Sequence, residues 1–188
     1  MLQPERLAEG GDEAKKGDAA VRAHVKASRI KGRFAQRESG EFFMVNTQIV
    51  RSATIHWEGD VAHGRGSIAT ESGKVAAEYS FGTRFSGDPG TNPEELLAAS
   101  HAACFTMAVS AELTRAGHPP KSIDTKAFVH LQRTNGGFEI PSIELTVTAA
   151  AEGLHDEEFQ RLATQAKENC PLSRALRAVP ITMKATLA

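Results

Sequence analysis

The segment TNPEELLAASHAACF, residues 91–105, predicts the start of a long helix and with it the centre of the fold. Asn92 suits the N-cap, Pro93 suits the first helical position, and Glu95 stands at N3 as in a capping box. Gly117 is followed by two prolines, which predicts that the helix ends there. The interior, residues 96–113, is apolar and carries almost no charge, so we expect a helix that is buried nearly all round.

Short strands are predicted on the N-terminal side of this helix. Apolar and β-branched residues form three runs, separated by glycine-containing turns, at residues 49–58, 66–70 and 74–81. Residues 82–91 are rich in glycine and other turn formers, which predicts a loop that leads into the helix.

A hairpin, a second helix and a last strand are predicted on the other side. Residues 123–131 and 143–149 alternate between apolar and polar side chains, and the intervening glycines predict a turn. Residues 156–169 have the spacing of an amphipathic helix, with Phe159, Leu162, Ala163 and Ala166 on its apolar face. A helical turn at 172–176 and a strand at 181–187 follow. This order predicts an α+β fold with mostly antiparallel sheets around a long central helix.

Composition sets the broad class of protein. The 188 residues are 40% hydrophobic and 24% charged, close to globular averages, and the net charge of −1 gives no reason to expect nucleic-acid or membrane binding. No apolar run approaches the roughly 20 residues that span a bilayer, and the N-terminus lacks the apolar core of a signal peptide. We therefore expect a cytoplasmic protein with reduced thiols.

Residues 1–43 differ from the rest of the chain, because charged residues of both signs are interspersed with glycine and few large apolar residues. We expect a loosely ordered or weakly helical extension, with a weak helix at residues 19–30. The folded domain is expected over residues 44–188, and Met44 is a candidate start site.

The two cysteines, Cys104 and Cys170, are the first candidates for chemistry. A disulfide scaffold uses more cysteines and a zinc site needs closely spaced cysteine or histidine ligands, so the choice is between inert thiols and a redox pair. A cysteine in an apolar helix is commonly a core residue, and the spacing alone does not bring the two together. The residues around Cys104 nevertheless favour redox chemistry.

Arg84 and Glu94 are the residues that favour it. A guanidinium lowers the pKa of a nearby thiol, and a carboxylate can hold the guanidinium in position. Glu94 and Cys104, however, lie about 15 Å apart on a continuous helix. Either the helix start is irregular, or Glu94 and perhaps Arg84 come from a partner subunit, and we favour a homodimer with shared sites. His101 either polarises the Cys104 thiol or is a hydrogen-bonded core or interface histidine.

The chain resembles the OsmC/Ohr superfamily, and the OsmC branch more than the organic hydroperoxide resistance proteins. The resemblance covers about residues 53–187 and leaves residues 1–43 without a counterpart. It rests on the motifs HWEGD (56–60), GRG (64–66), FGTRF (81–85), GTNPEEL (90–96), AACF (102–105), SIDT (122–125), AK (166–167) and CP (170–171).

The resemblance implies an intertwined α+β homodimer with its sites at the subunit interface. Cys104 takes the place of the family's peroxidatic cysteine and Cys170 that of its resolving cysteine. Arg84 and Glu94 take the places of the family's arginine and its paired glutamate.

The expected function is that of a thiol-dependent peroxidase in oxidative or osmotic stress defence. It would reduce organic hydroperoxides, and hydrogen peroxide less well, in an apolar pocket that includes Phe85 and Phe105. It would need no metal, haem or flavin, only a lipoylated or other dithiol reductant. The alternatives are a non-enzymatic thiol redox sensor or ligand-binding stress protein, and a structural dimer with inert cysteines.

Overall fold

The computed structural model describes residues 35–36, 42–43 and 48–188. Two short strands, β1 (Ala35–Gln36) and β2 (Phe42–Phe43), pair antiparallel. The weak helix predicted at 19–30 and the candidate start Met44 lie outside the described residues.

The other described elements follow in a strand–helix order close to the predicted one. They are β3 (Ala53–Glu58), β4 (Arg65–Thr70), β5 (Ala76–Ser80), α1 (Phe81–Phe85), α2 (Pro93–Arg115), β6 (Pro120–Thr134), β7 (Gly137–Ala151), α3 (Asp156–Asn169), α4 (Pro171–Ala175) and β8 (Ile181–Leu187).

The chain divides into two compact units, Met1–Glu58 with Arg65–Glu78, and Gly59–Gly64 with Tyr79–Ala188. The first unit holds β3 and β4, which pair antiparallel with Ala53 opposite Thr70. Strand β5 lies on the other side of β4, so the three strands form a sheet in the order β3-β4-β5. The predicted strands are confirmed, except that the first begins at Ala53 instead of Ile49.

Helix α1 was not predicted, because residues 82–91 were expected to form a loop. Ser80 caps this helix: its Oγ accepts from the Thr83 backbone N–H at 3.2 Å, and the Thr83 Oγ1 accepts from the Ser80 backbone N–H at 2.9 Å. This reciprocal pair is a capping box in which threonine replaces the usual glutamate. The prediction was wrong because the surrounding glycines hide that signal.

Helix α2 begins and ends as predicted. The Asn92 Oδ1 accepts from the Glu95 backbone N–H at 2.8 Å, which confirms the N-cap. At the other end Gly117 has a positive φ of 87°, and the His118 N–H donates to the Leu113 carbonyl at 2.9 Å. These are the features of a Schellman C-cap, which satisfies carbonyls at the end of the helix.

The prediction that α2 is buried nearly all round is wrong for the single chain, in which one face is buried and the opposite face is exposed. The buried residues are His101, Phe105, Val109, Glu112 and Leu113. The exposed face carries Ala99, Ala103, Met107 and Ala111, and Met107 is 74% exposed. Within the described residues, α2 is the one helix long and apolar enough to cross a bilayer, a property shared by core helices of soluble proteins.

A mixed three-stranded sheet packs against one side of α2. Strands β6 and β7 form the predicted antiparallel hairpin, with Thr134 opposite Gly137 at the turn. Strand β8 pairs with β7 in parallel, from Ile143 opposite Ile181 to Ala149 opposite Leu187. A parallel pair needs a crossover connection of about a dozen residues or more, and residues 152–180, which include α3 and α4, supply it.

The core lies where β7, α2 and α3 meet. Strand β7 turns Leu145, Val147 and Ala149 inward, as the alternating pattern predicted. Helix α3 runs over the predicted residues and buries the predicted apolar face. The cluster comprises Phe105, Val109, Leu113, Leu145, Val147, Ala149, Leu154, Phe159, Leu162, Ala163, Ala166 and Cys170. One of the two cysteines therefore belongs to the core itself.

We expect Phe159→Ala to lower the free energy of unfolding by about 3–5 kcal/mol, because it removes a fully buried ring in the first turn of α3 and leaves a cavity. Urea unfolding followed by circular dichroism measures the change. Val61→Ala is the control, since Val61 is 71% exposed. A loss at Phe159 no larger than at Val61 would contradict this assignment of the core.

Candidate active site

Arg84 and Glu94 form a bidentate ion pair within one chain. The Arg84 Nε donates to the Glu94 Oε2 at 3.0 Å, and its Nη2 donates to the Glu94 Oε1 at 2.5 Å. Helix α1 presents Arg84, and the first turn of α2 presents Glu94. Such a fork-to-fork contact fixes the plane and direction of the guanidinium. The predicted partnership of these two residues is therefore present, and both come from the same subunit.

The loop between α1 and α2 is tied to both helices. The Thr83 Oγ1 donates to the Thr91 carbonyl at 2.8 Å, and the Asn92 Nδ2 donates to the Thr83 carbonyl at 3.4 Å. Gly82 lies so close to Asp88 that a Cβ at this position would meet the Asp88 Oδ2 at 1.9 Å. These contacts hold Arg84 within reach of Glu94.

A cluster of three aromatic rings adjoins Arg84 through Phe85. The ring centroid of Phe85 lies 4.6 Å from that of Phe81 and 4.8 Å from that of Phe138, which comes from the β6–β7 hairpin. The Arg84 guanidinium carbon is 5.1 Å from the Phe85 centroid, within cation–π range. Phe105, the other aromatic residue expected to line a pocket, is 0% exposed and belongs to the core, so that expectation is wrong for this chain.

Cys104 and Cys170 lie next to each other, which the sequence could not show. Cys104 is on α2 and partly exposed, whereas Cys170 is fully buried at the junction of α3 and α4. The Cys170 backbone N–H donates to the Ala166 carbonyl at 2.8 Å, and its carbonyl accepts from the Arg174 N–H at 3.0 Å. The end of one helix and the start of the next therefore fix Cys170 beside α2.

The surroundings of Cys104 favour the protonated thiol in the single chain. Burial raises the pKa of Cys104, and Cys170 raises it further through side-chain hydrogen bonding and charge interaction. The backbone N–H of Leu172, at the start of α4, acts in the opposite direction by hydrogen bonding to the sulfur. A cysteine nucleophile reacts as a thiolate, so a nucleophilic role for Cys104 would call for a further positive charge nearby.

Arg84 does not supply that charge within the same chain. Helix α2 is continuous from Pro93, so the alternative of an irregular helix start is wrong. Glu94, which holds the Arg84 guanidinium, lies about 15 Å along the axis from Cys104. The structure thus assembles two pairs, Arg84 with Glu94 and Cys104 with Cys170, and keeps them apart in one subunit.

His101 and Ser173 form a third pair beside the cysteines. The His101 Nε2 lies 2.9 Å from the Ser173 Oγ, and the two residues are 0% and 7% exposed. Burial lowers the pKa of His101, so the imidazole is neutral near pH 7. Of the alternatives considered for His101, the structure supports the hydrogen-bonded core histidine. Ser173 was not among the predicted site residues, because the CxxS pattern of residues 170–173 is a weak signal by itself.

Comparison with known proteins places the chain. The family model described as OsmC-like protein matches residues 85–184, more than half of the chain. Peroxiredoxin OsmC of Escherichia coli is 46% identical over 131 residues, which are 69% of this chain and 92% of that protein. The chain belongs to the OsmC family.

Organic hydroperoxide resistance proteins are similar to this OsmC family member over a shorter region or at lower identity. The Xanthomonas axonopodis pv. citri protein is 37% identical over 92 residues, which are 48% of this chain and 63% of that protein. The crystal structure of the Elizabethkingia anophelis protein superposes with a TM-score of 0.59 at 28% identity, covering 77% of this chain and 99% of that one. The resemblance to OsmC and the α+β fold are confirmed.

We expect Cys170→Ala to lower the pKa of Cys104, because it removes the two contributions by which Cys170 raises that pKa. At fixed pH below the pKa, the thiolate fraction and hence the rate of alkylation by iodoacetamide then increase. The pH dependence of alkylation, mapped to Cys104 by peptide mass, measures the shift in both proteins. An unchanged or higher pKa in the variant would contradict the proximity of the two thiols.

Proposed function

We propose that this chain is a thiol-dependent peroxidase that reduces organic hydroperoxides, and hydrogen peroxide less well, in oxidative or osmotic stress defence. The observation that carries the proposal is the Cys104–Cys170 pair, with one thiol partly exposed and the other buried beside it. The relatives named peroxiredoxin and organic hydroperoxide resistance protein support the same activity.

The reaction begins at Cys104. Its thiolate attacks the terminal oxygen of the hydroperoxide, the O–O bond breaks, and the alcohol leaves after taking up a proton. Cys104 becomes a sulfenic acid. The Cys170 thiol then attacks the Cys104 sulfur, and the sulfenic hydroxyl leaves with the thiol proton as water. The backbone N–H of Leu172 lowers the pKa of Cys104 and so favours the thiolate at the first step.

Arg84 acts on the leaving oxygen and on the thiolate, with Glu94 holding its guanidinium in place. Because Arg84 and Cys104 lie apart in one chain, the active site combines Arg84 and Glu94 of one subunit with Cys104 and Cys170 of its partner. The exposed apolar face of α2 supports such a homodimer: burying Met107 alone favours association by about 1.5–3 kcal/mol. The small side chains of Ala99, Ala103 and Ala111 allow close approach.

The aromatic cluster beside Arg84 favours hydroperoxides with an alkyl or aryl group. Phe85 lies beside the Arg84 guanidinium, and Phe81 and Phe138, which are 40% and 49% exposed, extend the apolar surface from the Phe85 ring. A carbon substituent that covers these rings stabilises the bound peroxide, and hydrogen peroxide has no such group.

The cycle closes with an external reductant. A lipoylated protein or another dithiol exchanges with the Cys104–Cys170 disulfide and restores both thiols. The chemistry uses sulfur alone, so no metal, haem or flavin cofactor takes part. We place this cycle in the cytoplasm, where thiol pools are kept reduced.

We expect the protein to turn over cumene hydroperoxide many times when dithiothreitol is present. Cys104→Ser should abolish turnover, because no nucleophile is left, whereas Cys170→Ser should react once and then stall or over-oxidise. Peroxide consumption and intact mass measure these outcomes. One stoichiometric oxidation without turnover by the wild-type protein would favour a redox sensor, and normal turnover by Cys104→Ser would end the peroxidase proposal.

We expect mixed dimers to show that the site is shared. Arg84→Met should lower kcat/KM on the order of 100-fold, because the positive charge at the transition state is lost. Unfolding and refolding Arg84→Met together with Cys104→Ser gives mixed dimers in which one site has both Arg84 and Cys104. At equal mixing, about a quarter of wild-type activity should return.

The control for the mixing experiment is Arg84→Met refolded with a Cys104→Ser, Arg84→Met double variant, which offers no intact site. Activity in the first mixture no higher than in this control would show that Arg84 and Cys104 act within one chain.

A further inference from the structure

We propose that His101 and Ser173 are positioning residues for the resolving step, and that their hydrogen bond holds α4 so that Cys170 reaches the Cys104 sulfenic acid before a second peroxide does. This inference rests on the proposed peroxidase function, and it concerns residues that do not touch the peroxide. We call the His101–Ser173 hydrogen bond the clamp.

The placement of the clamp is the first argument. His101 and Cys104 are three residues apart on α2 and so lie on the same face, one turn from each other. Cys170 and Ser173 are three residues apart at the start of α4. The clamp and the cysteine pair are therefore two neighbouring contacts that join the same two elements.

The burial of α4 is the second argument. The helix is only five residues long, and its Pro171, Arg174 and Ala175 are exposed. Leu172 is partly buried against the core, and Ser173 is buried. A five-residue helix does not hold its position by itself, so its orientation depends on these few contacts. The clamp is its buried side-chain hydrogen bond to α2.

The free-energy cost of the clamp is the third argument. The His101 Nδ1 is buried and has no hydrogen-bond partner among the described residues. A leucine or methionine would fill the space of the imidazole without an unpaired nitrogen at the Nδ1 position, and an unpaired buried polar atom is normally costly. Packing alone therefore does not account for a histidine at position 101. The hydrogen bond to Ser173 is the interaction that an apolar side chain there could not make.

The chemistry requires such positioning. The sulfurs must close to a bond of about 2.05 Å with a restricted dihedral angle, so α4 has to present Cys170 in one direction. The step forms the S–S bond, breaks the sulfenic S–O bond and releases water. The competing step transfers oxygen from a second hydroperoxide to the Cys104 sulfenic acid, giving a sulfinic acid and an alcohol.

We test the clamp with Ser173→Ala, which removes the hydroxyl and little else. The reduced protein is oxidised with cumene hydroperoxide, the reaction is quenched at a series of times, and each sample is analysed by intact mass. The time course gives the rate at which the reduced Cys104 thiol is lost and, separately, the rate at which the disulfide forms. We expect the first rate to stay within about twofold and disulfide formation to slow by about five- to tenfold, the range expected for one lost hydrogen bond. The sulfinic fraction in excess peroxide should increase.

Further variants test whether the effect comes from the His101–Ser173 hydrogen bond itself. Ser173→Thr retains the hydroxyl and should restore the wild-type partition between disulfide and sulfinic acid. His101→Leu should match Ser173→Ala, and the double variant should be no slower than either single variant. Thr125→Val is the matched control, because it removes another hydrogen bond to α2, the 2.7 Å contact between Thr106 and Thr125, away from α4.

The proposal is overturned if Ser173→Ala keeps the wild-type partition, if Ser173→Thr behaves like Ser173→Ala, or if Thr125→Val gives the same change. A second readout does not depend on peroxide. In glutathione redox buffers, Ser173→Ala should lower the equilibrium constant for forming the Cys104–Cys170 disulfide by a similar five- to tenfold, about one hydrogen bond. If the equilibrium constant changes in this way but the wild-type protein does not react with peroxide, the peroxidase proposal is refuted and the positioning role of the clamp remains.

Discussion

The packing of α3 against α2 is the constraint on which the site depends. Phe159, Leu162, Ala163 and Ala166 bury one face of α3 against Phe105, Val109 and Leu113 of α2. Cys170 follows directly at the end of α3 and belongs to the same cluster. The apolar contact therefore fixes where the second sulfur lies, and the chemistry of the pair depends on an interaction that involves no reacting atom.

The same burial opposes the reactivity that the pair needs. An apolar environment brings Cys170 to Cys104, but it also favours the neutral thiol and raises the pKa of Cys104. Charge that counters this effect has to come from a group outside the core. The Arg84–Glu94 pair has the right chemistry and a fixed geometry, and it lies at the far end of α2. The proposed site, divided between two subunits, would satisfy both demands, because each chain would keep its own core intact.

Elements with strong local signals could be predicted from the sequence. Asn92, Pro93 and Gly117 set the ends of α2, and the spacing of Phe159, Leu162, Ala163 and Ala166 gave α3 and its buried face. Three features were hidden because they depend on distant parts of the chain: the parallel pairing of β8, the exposed face of α2, and the approach of Cys170 to Cys104. Residue chemistry made Arg84, Glu94 and both cysteines candidates, the motif resemblance implied a role for each, and the structure brought them together in two pairs. Ser173 was not predicted as a site residue because the CxxS pattern carries little information by itself, and its partner His101 is distant in the sequence.

The parallel pairing of β8 has a consequence for biosynthesis. Helix α2, with Cys104, and the β6–β7 hairpin are made first and can fold through short-range contacts. Strand β8 joins β7 only after residues 152–180 have been made and their long loop has closed, a slow kind of step in folding. Cys170 lies within that late segment. During synthesis Cys104 therefore spends a period without Cys170 beside it, and a sulfenic acid formed on Cys104 at that stage has no neighbouring thiol with which to condense.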